Sequence, residues 1–79
     1  MSAITITIDG IDESQVDVFR SAINAAQDIT CNTHFDVEII YDGETIVETY
    51  IDWVGEDQRY DVITSYKHHR FTKYMEDEV

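Results

Sequence analysis

Ile4, Ile6 and Ile8 alternate with Thr5 and Thr7, the two-residue period of a strand that buries one face, and the β-branched residues suit a pleated, half-buried surface. After "DGIDESQ" the period changes. Val16, Phe19, Ala22, Ile23 and Ala26 recur at helical spacing, while Glu13, Asp17, Arg20, Asn24 and Gln27 fall on the other faces. Gly10 permits the intervening turn, and Asp12 with Gln15 three positions later has the spacing of a capping box. The pattern predicts an amphipathic helix from near Glu13 to about Asp28, with the polar "TCNT" as the connection onward.

From Phe35 to Trp53 the alternation returns on both sides of Asp42-Gly43, and two rules for the hairpin disagree. A two-residue Asp-Gly loop pairs Tyr41 with Glu44 and Val37 with Glu48, which mixes acids into the core. A loop of Asp42, Gly43 and Glu44 instead sets Tyr41, Ile39, Val37 and Phe35 across from Thr45, Val47, Thr49 and Ile51, with Trp53 beyond. Because a one-residue slip exchanges the faces of a strand, burial favours the second register. The opposite face then carries His34, Asp36, Glu38, Glu48, Tyr50 and Asp52, with Ile40 and Ile46 near the turn.

"GEDQ" reads as another turn, and Tyr60, Val62, Thr64 and Tyr66 alternate as in a further strand. Tyr60, Ile63, Phe71 and Tyr74 also fit one side of a long helix from Glu56 to Met75, so periodicity leaves both forms open; strand then short helix is preferred. Phe71, Tyr74 and Met75 have the spacing of a packed terminal helix, and "EDEV" reads as a frayed tail. The expectation is one α+β domain over residues 1–79: β-α-β-β, then a C-terminal strand and short helix, with a helix on one face of an antiparallel sheet. Its core is Phe19, Ile23, Val37, Ile39, Val47 and Ile51.

At 79 residues a chain buries proportionally little surface, so its margin of stability is thin unless it oligomerises. An apolar fraction of 43% favours folding, although a net charge of −12 opposes it. No apolar run approaches the roughly 20 residues of a membrane helix, and no charged-then-apolar leader is present. Cytoplasmic residence is expected, in the host cell if the chain is phage-encoded. Apart from Arg20, every charged residue from 1 to 57 is acidic, whereas Arg59, Lys67, Arg70 and Lys73 follow close together, so a bipolar molecule is expected. Such a field repels nucleic acid and anionic membrane and draws basic surfaces.

Cys31 stands alone, without a readable base or oxyanion site, and reads as a buried or half-buried structural thiol. His68 and His69 are adjacent and diverge on any regular element, and no Cys/His spacing of a zinc module exists. Asp9, Asp12 and Glu13 lack the order of a calcium loop and serve as turn and cap residues. No nucleophile elbow, oxyanion loop or glycine-rich phosphate cradle appears, and a core this small gives paired carboxylates no cleft in which to diverge in pKa. The expectation is therefore a non-enzyme without metal or cofactor. Lys67, Arg70 and Lys73, interleaved with aromatics, are candidates for self-association into a homodimer rather than for nucleic-acid binding.

The acidic hairpin is the main functional clue. Same-face residues in a strand lie roughly 6.6 Å apart and strands about 4.8 Å apart, so Asp36, Glu38, Glu48 and Asp52, with Tyr50 among them, can form a two-row lattice of charge. In size, acidity and compact α/β character the chain resembles the small phage-encoded inhibitors, particularly anti-CRISPR proteins and other DNA mimics. The resemblance covers gross character over the whole chain and no diagnostic motif. It implies a stoichiometric inhibitor that occupies the basic DNA-binding surface of a bacterial nucleoprotein or CRISPR effector complex, with acids and exposed aromatics as contacts. The alternative is a small acidic structural or assembly protein, phage or halophilic, that self-associates through its basic segment without DNA mimicry. An adapted halophile loses structure as salt is removed, whereas a mimic stays folded and binds more tightly.

Overall fold

The chain's structure, a computed structural model, describes residues 3–55 and 59–74, and the side chains of all of these except 73 and 74. Strand β1 (Ala3–Ile8) leads into helix α1 (Val16–Thr33), followed by β2 (Asp36–Tyr41), β3 (Glu44–Val54), β4 (Arg59–Tyr66) and a 3-10 helix (His69–Tyr74). The four strands lie in chain order in one sheet. It is antiparallel across β2, β3 and β4, as expected, but β1 runs parallel to β2, which makes the sheet mixed. The cause is the crossover: α1 carries the chain back along the sheet, so β2 restarts in the direction of β1. No helix among the described residues is long and apolar enough to cross a membrane.

The hairpin satisfies both of its competing rules. Asp42 and Gly43 both take positive φ, 55° and 81°, and Tyr41 pairs with Glu44, as a two-residue turn demands. Farther from the turn, Ile39 faces Val47 and Val37 faces Thr49, the register that burial demands. A bulge reconciles the two: Ile40 pairs with Thr45 and Ile39 with Val47, leaving Ile46 as the extra residue on β3. Ile46, expected on the outer face, is consequently buried beside Val47.

The core comprises Ile8, Phe19, Ile23, Ala26, Val37, Ile39, Ile46, Val47 and Phe71. Ile51, expected there, is only half-buried, because β2 begins at Asp36 and its pairing with β3 ends at Val37 and Thr49, so Ile51 has a strand neighbour only in β4. Phe71 takes its place from the C-terminal segment, where the 3-10 helix folds onto the open end of the core and its ring lies 5.8 Å from that of Phe19 and 6.1 Å from that of Tyr41. Tyr74 and Met75, expected to pack beside it, lie outside the described side chains, as do the "GEDQ" residues 56–58 and the tail from 76.

Both ends of α1 differ from expectation. Asp12 accepts hydrogen bonds from the Ser14 backbone N–H (2.9 Å) and the Ser14 hydroxyl, a turn that holds its carboxyl below the usual carboxylate range. The capping box is therefore absent, and Gln15, at the N-cap, makes no side-chain capping bond. At the other end "TCNT" continues the helix, because Thr30 is fully buried. The helix stops at His34, whose φ of 63° is the left-handed C-cap conformation, with its N–H donating to the Thr30 carbonyl.

Thr30 and Thr49 are the two fully buried polar side chains among the described residues, and their hydroxyls lie 2.6 Å apart, with Thr49 also donating to the Ala26 carbonyl. Thr49→Val leaves the Thr30 hydroxyl without this partner and is expected to cost about 1 to 3 kcal/mol in urea unfolding. Thr30→Val together with Thr49→Val should cost clearly less than the two single changes added, since no buried hydroxyl is then left over. Additive losses would show that the hydroxyls act independently.

Candidate functional site

Alternation sorts each strand onto two faces, and α1 covers only one. The helix face takes Ile4, Ile6 and Ile8 of β1, Val37 and Ile39 of β2, Val47 and Thr49 of β3, and Thr64 of β4, which accepts a 2.7 Å hydrogen bond from Gln27 of α1. The outer face, covered by no described element, takes Thr5, Glu38, Glu48 and Ser65 in one row across the sheet. Tyr50 and Ile63 pair in the next row, and Asp52 and Asp61 in the one beyond. Asp36, Glu38, Glu48 and Tyr50 come together around a shallow depression of about 230 Å³ closed on the β1 side by Ala3.

Like charges oppose each other twice on this face. Glu38 is the direct cross-strand partner of Glu48, and Asp52 that of Asp61. Carboxylates so placed destabilise a sheet, each pair by roughly 0.2 to 1 kcal/mol. The first pair has local relief: Glu38 accepts from the Thr45 hydroxyl at 3.1 Å and, more weakly, from Thr5 at 3.4 Å, and Glu48 meets Lys67 Nζ at 3.2 Å. Tyr50 stands 38% exposed beside them.

Lys67 corrects the expected separation of charge. β4 runs back along β3, pairing Val47 with Tyr66, and so delivers Lys67 onto the acidic face instead of a separate basic pole. Arg70 lies on the 3-10 helix, its Nε 3.0 Å from a Glu13 carboxylate oxygen and its guanidinium 4.6 Å from the Phe71 ring centroid. His68 faces Glu44 at 3.3 Å, an ion pair when the imidazole is protonated. The Lys73 side chain lies outside the described residues. Among those described, the basic cluster is thus turned inward, each member to a different acid.

His34, expected among the outer acids, sits instead at the end of α1. Its ring makes edge-to-face contacts with Tyr60 at 4.7 Å and Trp53 at 5.5 Å, because the left-handed C-cap turns it toward the helix side of β3 and β4. Cys31, expected buried or half-buried, is exposed on the last turn of α1. Tyr60 donates to its backbone carbonyl at 3.3 Å, and hydrogen bonding to Cys31 pushes the Tyr60 phenol up. Among the described residues no three His, Cys, Asp or Glu side chains gather as a metal site requires.

Asp61 and the two threonines that hold Glu38 escaped the sequence reading. The alternation of Tyr60, Val62, Thr64 and Tyr66 already put Asp61 on the other face of its strand, but only the register places it opposite Asp52. The sequence matches no protein-family model, no curated protein and no solved structure, so the functional reading rests on this geometry.

Proposed function

We propose that the protein is a non-enzymatic acidic inhibitor of the anti-CRISPR kind, whose outer sheet face binds the positively charged DNA-binding surface of a bacterial nucleoprotein or defence complex. The observation that carries this reading is the pair of like-charge oppositions, Glu38 with Glu48 and Asp52 with Asp61, on the one face that no described element covers. A surface that served solubility alone could alternate signs across the strands and gain stability. One that keeps carboxylates opposed at a stability cost, with Lys67 against Glu48 and Arg59 at its margin, still carries an excess of negative charge for a basic ligand to meet.

Asp36, Glu38, Glu48, Asp52 and Asp61 stand in for phosphates, and Tyr50 supplies an amphipathic contact of the sort enriched at protein interfaces. Self-association through the basic segment loses support, since Lys67 and Arg70 already meet Glu48 and Glu13 within the chain. The test is capture of bacterial DNA-binding proteins on the immobilised chain, followed by elution with duplex DNA. Release by DNA is expected, because both ligands claim one surface. A captured protein that holds DNA and this chain together contradicts the reading.

A further inference from the structure

β1 is the one strand of the sheet without a charged residue: Ala3, Ile4, Thr5, Ile6, Thr7 and Ile8, in a chain of which 28% is charged. It is also an edge, so the backbone groups turned away from β2 meet no other described strand. The opposite edge, β4, carries Arg59 and Asp61 and runs into Lys67. Charge on an edge strand is the usual guard against edge-to-edge pairing. β4 has that guard within the strand, whereas β1 meets its first charge only past its end, at Asp9.

The side chains around β1 are under-covered in the same region. α1 lies over β2 and β3 and reaches β4 through Gln27. Ile4 and Ile6 are left half-buried, and the helix flank turned away from Gln27 presents Val18, Ala22, Ala25 and Ile29, with Val18 41% exposed. An uncharged edge and an apolar flank therefore adjoin.

We infer that β1 is the pairing edge of a homodimer, lying antiparallel beside β1 of a second copy across a two-fold axis at Thr5 and joining two four-stranded sheets into one. The strand is complementary to itself. About that axis Ile4 faces Ile6, Ile6 faces Ile4, Thr5 faces Thr5 and Ala3 faces Thr7, so the half-buried isoleucines of each copy cover one another and hydroxyls meet on the outer face.

Charge selects a second copy as occupant and this edge as the place. A charged partner finds no counter-charge on β1. Two chains of net charge −12 repel, yet joined at β1 their closest sheet-face acids, on β2, are three strand spacings apart, about 14 Å, beyond the Debye length of about 8 Å at physiological salt. Joined at β4, the Asp61 residues of the two copies sit on adjacent strands, about 5 Å apart in that direction. The β1 dimer also places both acidic faces on the same side of the continuous sheet. It stands independently of the acidic-face reading, as the paired strands themselves carry no carboxylate.

Sedimentation at physiological ionic strength tests it. For the parent chain, mass should rise from one chain toward two as concentration increases to about 1 mM, the weak-affinity limit. Thr5→Lys with Thr7→Lys, and separately Thr5→Glu with Thr7→Glu, place like charges across the axis while leaving the core untouched, since both threonines are exposed. Each variant alone should dimerise about tenfold more weakly or worse, and an equimolar mixture of the two should recover the dimer. A parent that stays monomeric throughout overturns the inference. So do charged variants that dimerise like the parent, or a mixture that associates no better than its components. The lysine variant keeps the test valid if the glutamate one folds poorly, because Thr5 neighbours Glu38.

Discussion

Phe71→Ala should destabilise the domain by about 3 to 5 kcal/mol, the range for removing a fully buried aromatic ring. For a chain of 79 residues the whole stability is roughly 4 to 12 kcal/mol at about 0.05 to 0.15 kcal/mol per residue, so this one truncation can unfold a large fraction of the molecules at ambient temperature. The ring has no exposed surface and packs against Phe19 and Tyr41 at one end of the core. Its segment is otherwise held by contacts of small worth: Arg70 with Glu13 and His68 with Glu44 are surface pairs, each in the range of about 0 to 1 kcal/mol. Arg70→Ala is accordingly expected to shift the urea midpoint far less than Phe71→Ala. Equal shifts, or a Phe71→Ala protein that melts like the parent, would mean that the C-terminal segment is a bystander to the core.

That segment shows where sequence reasoning reaches and where it stops. Phe19, Ile23, Val37, Ile39 and Val47 are legible because each belongs to a period long enough to reveal its face, and all five are buried. Phe71 belongs to a short pattern shared by two rival elements, so its spacing admitted packing without indicating what it packs against. Thr30 and Thr49 are buried against type, and each depends on a partner 19 positions away that no local pattern can supply. The hairpin is the clearest limit. Turn chemistry and burial each predicted a register, and both were locally correct, because one extra residue at Ile46 separates the regions they govern. The acids of the candidate site were legible as members of one face. Their opposition in pairs, and the arrival of Lys67 among them, depend on how β3 pairs with its neighbours, which is tertiary information.

The same pairing sharpens what charge removal should do. Glu38→Gln, Glu48→Gln and Asp52→Asn together keep side-chain shape while removing three charges from the uncovered face. Folding stability should stay within about 1 kcal/mol of the parent, for two opposing reasons: the cross-strand repulsions of roughly 0.2 to 1 kcal/mol each are relieved, and the exposed Lys67 pair is lost. Binding to a basic partner should respond on another scale. Close interfacial charge pairs couple by about 1.5 to 7 kcal/mol, so each neutralisation should remove a substantial part of that, most at low salt where screening is weakest. Asp17→Asn and Asp28→Asn, made on the exposed side of α1, change net charge by similar steps away from the sheet face. Calorimetric titration of the captured partner with both sets separates a positioned lattice from a diffuse field. If the helix variants weaken binding as much as the sheet variants, net charge alone is at work; if only the sheet variants do, the opposed carboxylates make the contact and their cost to the fold is explained.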